Sequence, residues 1–379
     1  MYKINQVSIG GFRRLQKINL PMKPFNVFIG ANGVGKTSFL DALSLLSASA
    51  SGMLNKTLSD SGGIANILTR GKIEEIGFFV NMEVPLLKPL YYELLLKPMG
   101  TGYSISHELL SQNGDVASAH ILSSNDDIYY YEINERKLVR PSWEHNPLET
   151  SLSQVPKMYR QPEEFRRILA NTTYYHELNV GLRAPIKLPQ QMKPATLPGA
   201  AGEDIIPYLY TLRESDRDRF DVITDTLHAA FPGFQELNFP PVGAGVLTMT
   251  WKDRNFARPM YMHELSEGTL RFLWLVSLLQ SPPPSTITMI DEPEVSLHPE
   301  LLSLLAGLMR EASQRTQLIV ATHSDRFLRF LRPEEVVVMD IAEDGCAAAT
   351  RADTLDLDKW LDEYSFDEVW QMGQMGGRS

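Results

Sequence analysis

Only one cysteine, Cys346, occurs in the chain. A single thiol excludes an intramolecular disulfide, a paired-cysteine redox motif and a zinc site built on several thiolates. No run of 18 apolar residues is present, so no segment reads as a membrane-crossing helix. The start, MYKINQVSIGGF, lacks the basic-then-apolar pattern of a secretion signal. Basic residues are outnumbered: 36 Lys and Arg face 46 Asp and Glu, a net charge of −10. That balance excludes a generally basic coat for nucleic acid, though not a local basic groove. Neither an internal repeat nor a coiled-coil heptad is found. HEL occurs at His107, His176 and His263, each time without the second histidine of an HExxH zinc site. A cytoplasmic, acidic protein without a membrane span is the expectation.

What is present is ordinary globular material, 43% hydrophobic and 22% charged over 379 residues, enough for a substantial core and two lobes. Residues 2–9 alternate as a half-buried strand does. Phe25 to Ile29 is a short, largely apolar run, the mark of a strand covered on both faces. From about 75 to 140, four segments separated by Gly, Pro and Asn-Asp turns predict an antiparallel sheet. PEEFRRILANTTYY and ESDRDRFDVITDTLHAAF read as helices, and the Pro- and Gly-rich stretch between them as a loop. FQELNFPPVGAGVLTMTW reads as strands. In the last third, strand and helix alternate, which means a parallel sheet. LSEGTLRFLWLVSLLQ is a helix stopped by SPPPS, and PELLSLLAGLMREASQ one with proline in its first turn.

Gly30-Ala31-Asn32-Gly33-Val34-Gly35-Lys36-Thr37 fits GxxxxGK[ST]. Glycines let backbone N–H groups turn inward around a phosphate where a Cβ would collide. Lys36 brings a point charge to the β- and γ-oxygens, and the Thr37 hydroxyl coordinates Mg²⁺. The following helix adds the partial positive charge of its N-terminus.

Thr286 to Ile290 is an apolar strand that delivers Asp291 and Glu292 at its carboxyl end. There Asp291 holds a nucleotide's Mg²⁺, directly or through water. Glu292 is placed to orient and deprotonate the attacking water. The next strand ends in Ala321-Thr322-His323-Ser324, where the histidine can touch the γ-phosphate and report its presence. Leu265-Ser266-Glu267-Gly268-Thr269 opens a helix with a hydroxyl and N–H groups that suit an anion, and equally suit a simple N-cap.

The order of these parts (phosphate loop, LSEGT helix, strand with Asp-Glu, EVSLHP at 294–299, strand with THS) resembles the ABC-type ATPases of the SMC/RecF/OLD superfamily, in particular the stand-alone bacterial AAA_21/AAA_15-like ATPases. The likeness covers roughly 1–70 and 255–345. It implies an α/β fold: a P-loop ABC-type head with a mixed, largely parallel sheet plus an inserted antiparallel β and helical lobe. The expected division is 1–74 and 255–379 for the head and 75–254 for the insertion. It further implies a slow ATPase with ATP and Mg²⁺ as cofactors, acting as a head-to-tail homodimer. Arg13, Asn32, Gly33, Gly35, Lys36, Thr37 and Ser38 of one subunit and Ser266, Glu267 and Gly268 of the other would hold each nucleotide. Thr37 and Asp291 would hold the metal, with Glu292 and His323 catalytic. The γ-phosphate-sensing loop is sought at Asn66 to Gly71.

No effector domain is expected in the chain itself. The leading expectation is therefore a nucleotide-gated sensor or scaffold for a separate effector, a nuclease or toxin, in bacterial anti-phage defence. The alternative is a RecF-like repair clamp that binds DNA through a groove containing Arg166, Arg167, Arg183, Lys187 and Lys193. Trp370, Met372 and Met375 near the end suit either a docking surface or packing against the head.

Overall fold

The computed structural model describes residues 3–71, 73–84, 88–124, 127–132, 136–282, 285–361 and 363–377. The turn expected at Asn125-Asp126, and Pro283 and Pro284 of the SPPPS stop, lie outside the described residues.

Two large sheets organise the chain. The first has eight antiparallel strands in the order Leu15–Pro21, Lys3–Phe12, Ile76–Glu83, Leu90–Met99, Gly102–Ser111, Ala119–Ser124, Asp127–Glu132 and Lys137–Val139. Alternation drives it: Ile76, Phe78, Val80 and Met82 are buried while the residues between them are not. The second has six strands in the order Thr172–Tyr175, Ile287–Asp291, Gln317–Thr322, Phe25–Ile29, Val336–Ile341 and Ala347–Arg351. Every pair in it is parallel except the last.

The parallel sheet is buried on both faces, and its period of two sorts side chains between two cores. Phe28, Ile319, Ala321, Val337 and Met339 join the core containing the helix Lys36–Ala50 and the antiparallel sheet. Val27, Ile29, Leu318, Val320, Val336 and Val338 join the core formed by the helices Glu267–Leu279, Pro299–Ala312, Ile205–Ser215 and Arg217–Ala230. The registers place Asp291 opposite Ala321 and Thr322 opposite Ile29. The carboxyl ends of the central strands therefore open on one edge, where ligands of such sheets bind.

This is the α/β architecture expected from the sequence, with differences in detail. The antiparallel sheet runs across the expected division at 74, and the parallel sheet has strands on both sides of 74 and of 254. Strands from 76 to 139 extend the sheet begun by Lys3–Phe12, and Thr172–Tyr175 is the edge of the parallel sheet. The helix read through PEEFRRILANTTYY stops at Ala170, and the β-branched and aromatic TTYY pairs with Ile287–Asp291 instead. Ala119–Ser124 and Ile205–Ser215 are elements that pattern reading missed. Among the described residues no helix is long and apolar enough to cross a membrane.

Candidate nucleotide site

Phe25–Ile29 ends at Gly30, and the helix resumes at Lys36 behind Gly35, whose φ is 113°. Close approach fixes the first glycine: a Cβ on Gly30 would lie 2.3 Å from the Met339 carbonyl oxygen. Gly33, at φ 80°, has open space around it, as a backbone cradle for phosphate requires. Asn32, Gly33 and Thr37 are exposed and Ser38 is half-buried. Lys36 Nζ folds onto the loop, donating to the Gly30 oxygen at 2.7 Å and the Ala31 oxygen at 2.9 Å. Burial lowers its pKa, opposed by the negative charges of Glu292, Asp291 and Glu294.

Those carboxylates sit across the loop. Asp291 Oδ2 accepts from the Thr37 hydroxyl and from the Tyr174 phenol, each at 3.2 Å. Asp291 Oδ1 is buried without a hydrogen-bond partner. A buried polar atom left unpaired costs about 1–3 kcal/mol, more when charged, which a cation at Oδ1 would relieve. Burial raises the Asp291 pKa, and the bonds from Thr37 and Tyr174 oppose the shift. Burial together with Asp291 and Asp41 pushes the Tyr174 phenol well above its ordinary value, so it remains a donor.

Glu292 takes a positive φ of 47°, and its N–H donates to the Ala321 oxygen at 2.8 Å. Its Oε1 lies 2.9 Å from His323 Nδ1, and both side chains retain solvent access. Glu294 is buried, accepts from the Thr322 hydroxyl, and has its pKa raised by burial.

Residues of the expected Mg²⁺ site are thus adjacent: the Thr37 hydroxyl and a half-satisfied Asp291. No group of three or more His, Cys, Asp and Glu forms a metal cage among the described residues. That donor set suits Mg²⁺, which uses one or two carboxylates and draws its other ligands from water and phosphates.

Ser266 caps the helix Glu267–Leu279, accepting from the Thr269 N–H at 3.2 Å and sharing a bond with the Thr269 hydroxyl at 2.8 Å. Ser266 and Glu267 are exposed. Among the described residues no hydrogen bond or ion pair joins Ser266, Glu267 or Gly268 to the phosphate loop of the same chain. Gly268 instead sits over Ser296: a Cβ there would lie 2.5 Å from the Ser296 oxygen.

Arg13, at φ 49°, pairs with Asp41 of the phosphate-loop helix. With Arg14, Arg70, Asn66 and Cys346 it lines a cleft of about 420 Å³. Asn66 to Gly71, where the γ-phosphate-sensing loop is expected, lies beside Arg13. That segment is tied to Gly11 and Arg13, through Thr69 N to the Gly11 oxygen and Arg13 N to the Ile67 oxygen, and faces the arginine cleft. The residue beside Asp291 is Tyr174, missed because TTYY was read as helix. Of the five basic residues expected in a groove, Arg166 pairs with Glu163, Arg167 with Glu164 and Lys193 with Asp204. A further cavity of about 700 Å³, bordered by His120, Tyr131 and Tyr159, contains none of the expected site residues. Trp370 and Met375 are buried and Met372 is exposed, so packing accounts for two of the three.

A parallel sheet with a phosphate loop on one central strand and acids on a neighbour, flanked by an antiparallel sheet on the other side of the loop's helix, has the layout of a P-loop ATPase head. Within that class the chain belongs to the AAA_21 family, described as "AAA domain, putative AbiEii toxin, Type IV TA system", whose profile matches residues 25–329. Solved structures with the same fold include an Smc head bound to the C-winged helix domain of ScpA. It is 14% identical with a TM-score of 0.57, and the match covers 93% of this chain and 99% of that one. An Smc head with extended coiled coil bound to the C-terminal domain of ScpA, from Pyrococcus furiosus, is 11% identical with a TM-score of 0.54, over 96% and 99% of the two chains. An Smc head with coiled coil and joint from Pyrococcus yayanosii is 12% identical with a TM-score of 0.53, over 98% and 100%. No curated protein matches the chain.

Proposed function

We propose that the chain binds Mg²⁺-ATP on the Gly30–Ser38 loop and hydrolyses it slowly, in a head-to-tail homodimer whose ATP state gates a separate effector. The observation that carries the ATPase reading is the convergence of Lys36, Thr37, Asp291, Glu292 and His323 at one sheet edge, with Asp291 Oδ1 left without a donor. Bound there, Mg²⁺ would neutralise charge on the phosphates. Lys36 would exchange its two carbonyl contacts for phosphate oxygens. Glu292 would take the proton of the attacking water, and His323 would hold the Glu292 carboxylate in place.

Exposed Ser266 and Glu267, with no contact to their own phosphate loop, support the dimer: such a helix start suits the nucleotide of a second subunit. The effector reading draws on the Smc head that binds a ScpA domain, and a nuclease or toxin partner in anti-phage defence is the extension of it to this family.

The test is hydrolysis and dimerisation of the full chain. The wild type should turn over ATP slowly, and Lys36→Ala should neither bind nor hydrolyse it. Glu292→Gln should bind and dimerise, with hydrolysis lowered by about 10²–10⁴-fold. Wild-type hydrolysis by Glu292→Gln would overturn the base assignment. Purified from its host with Mg²⁺-ATP, this variant should carry a stoichiometric protein partner. Nucleic acid without a protein would favour the RecF-like clamp.

A further inference from the structure

Tyr174 and Glu177 lie three residues apart, yet one touches the acid of the phosphate site and the other the helix opened by Ser266. We propose that the segment Thr172 to Glu177 is a relay between the two, in which Tyr174 positions Asp291 and Glu177 carries the state of Asp291 to the Ser266 helix. The proposal rests on the nucleotide-binding reading above and names a regulatory connection within that site.

Alternation of side chains supplies the geometry. On one face, Tyr174 donates to Asp291 Oδ2 at 3.2 Å, and the His176 ring packs against Tyr174 with centroids 4.0 Å apart. On the other face, Tyr175 meets Trp274 edge-on at 5.7 Å, and Glu177 Oε1 accepts from Arg271 Nη2 at 2.6 Å. Trp274 and Arg271 both belong to Glu267–Leu279. Arg271 is a buried cation between Leu270 and Phe272, and its Nε has no hydrogen-bond partner. A buried guanidinium has few ways to satisfy itself, and half-exposed Glu177 supplies one of them.

Tyr174 and Thr37 both occupy Oδ2, which leaves Oδ1 as the oxygen for a cation. Metal-ligating carboxylates are commonly fixed by outer hydrogen-bond donors of this kind. A cation drawing charge from the Asp291 carboxylate weakens Oδ2 as an acceptor for Tyr174. The strand that carries Tyr174 is held to the Ser266 helix by two contacts. Occupancy at Asp291 is thereby felt where the second subunit's nucleotide would be engaged.

The experiment uses the full chain and a fluorescent N-methylanthraniloyl ATP as probe, titrated with Mg²⁺, alongside sedimentation of the same variants in a Glu292→Gln background. Tyr174→Phe keeps the ring against His176 and should raise the Mg²⁺ midpoint about 10-fold, with probe affinity in EDTA unchanged. Glu177→Gln should leave the Mg²⁺ midpoint alone and weaken ATP-driven dimerisation about 10-fold. The double variant should dimerise no worse than the weaker single, because links in series do not add. An unaltered Mg²⁺ midpoint in Tyr174→Phe, or additive losses of dimerisation in the double variant, overturns the relay and leaves the ATPase reading standing. Failure of the wild type to bind the probe overturns both.

Discussion

His323 Nδ1 lies 2.9 Å from Glu292 Oε1, at the ends of two adjacent parallel strands that are paired through Asp291 and Ala321. Both side chains keep solvent access, and this contact orients each against the other. His323→Ala should therefore lower kcat by about 10²-fold, the low end of what a positioned acid–base group contributes, with KM little changed. In Glu292→Gln the same change should add almost nothing, because the histidine acts through the carboxylate. Steady-state ATPase kinetics on the four proteins of this cycle check it; independent, multiplying losses would contradict the pairing.

Gly268 offers a second test that leaves the phosphate loop untouched. Its missing Cβ makes room for the Ser296 carbonyl, and Ser296 itself sits at φ 62°. Gly268→Ala places a methyl 2.5 Å from that backbone oxygen, so the Ser266 helix and the 294–299 segment must part. ATP binding by the single subunit should be preserved, while ATP-driven dimerisation falls at least about 10-fold, a coupling-sized effect. Binding of a fluorescent ATP and light scattering on one preparation separate the two.

How much of this could be read from the sequence follows from where each signal resides. Lys36, Thr37, Asp291, Glu292 and His323 were legible because each lies at the end of an apolar strand or the start of a helix, and the parallel sheet converts such positions into one edge. Tyr174 was not legible, since four residues of TTYY after a strongly helical EEFRRILA carry too little periodicity to show a change of element; pairing with Ile287–Asp291 decides it. The extent of the antiparallel sheet was half-legible. Its alternation showed strands, but not that they continue the sheet begun by Lys3–Phe12. Ion pairs such as Arg166–Glu163 depend on rotamers and were not legible.

Glu108 gives a stability prediction with a pH signature. Its buried carboxylate accepts from Ser151 N at 2.6 Å, Leu152 N at 2.8 Å and the Tyr92 hydroxyl at 2.9 Å. Thr150, next in the same loop, donates to the Ser49 oxygen near the end of the phosphate-loop helix. Burial raises the Glu108 pKa and the donors oppose the shift. A carboxyl whose folded pKa exceeds its unfolded one, about 4.3, stabilises most below that unfolded value. The contribution is lost as pH rises through the folded pKa. Glu108→Gln should cost about 1–3 kcal/mol, since the amide leaves a buried N–H without an acceptor. It should also flatten the decline of stability with rising pH over that window. Urea unfolding across a pH series decides it, and an unchanged slope would contradict the assignment.

The segment ending at Gly377 reaches the phosphate loop. Gly377 O accepts from the Ala31 N–H at 2.8 Å, and Gly377 N donates to Asp340 Oδ2 at 2.8 Å. Trp370 closes over the turn: a Cβ on Gly377, at φ 77°, would lie 2.4 Å from Trp370 Cη2 and 2.9 Å from the Met339 oxygen. The carbonyl of Met339 also lies against Gly30, so one residue of Val336–Ile341 supports both the loop and the tail. Trp370→Ala removes the cover and should cost about 3–5 kcal/mol, as large-to-small core changes do. Gly377→Ala should cost about 1–3 kcal/mol by overpacking at a strained φ. Both should speed hydrogen exchange at Ala31 before any global loss of protection. If Ala31 exchanged at the wild-type rate in a destabilised Trp370→Ala, the tail would be packing on the head without holding the loop.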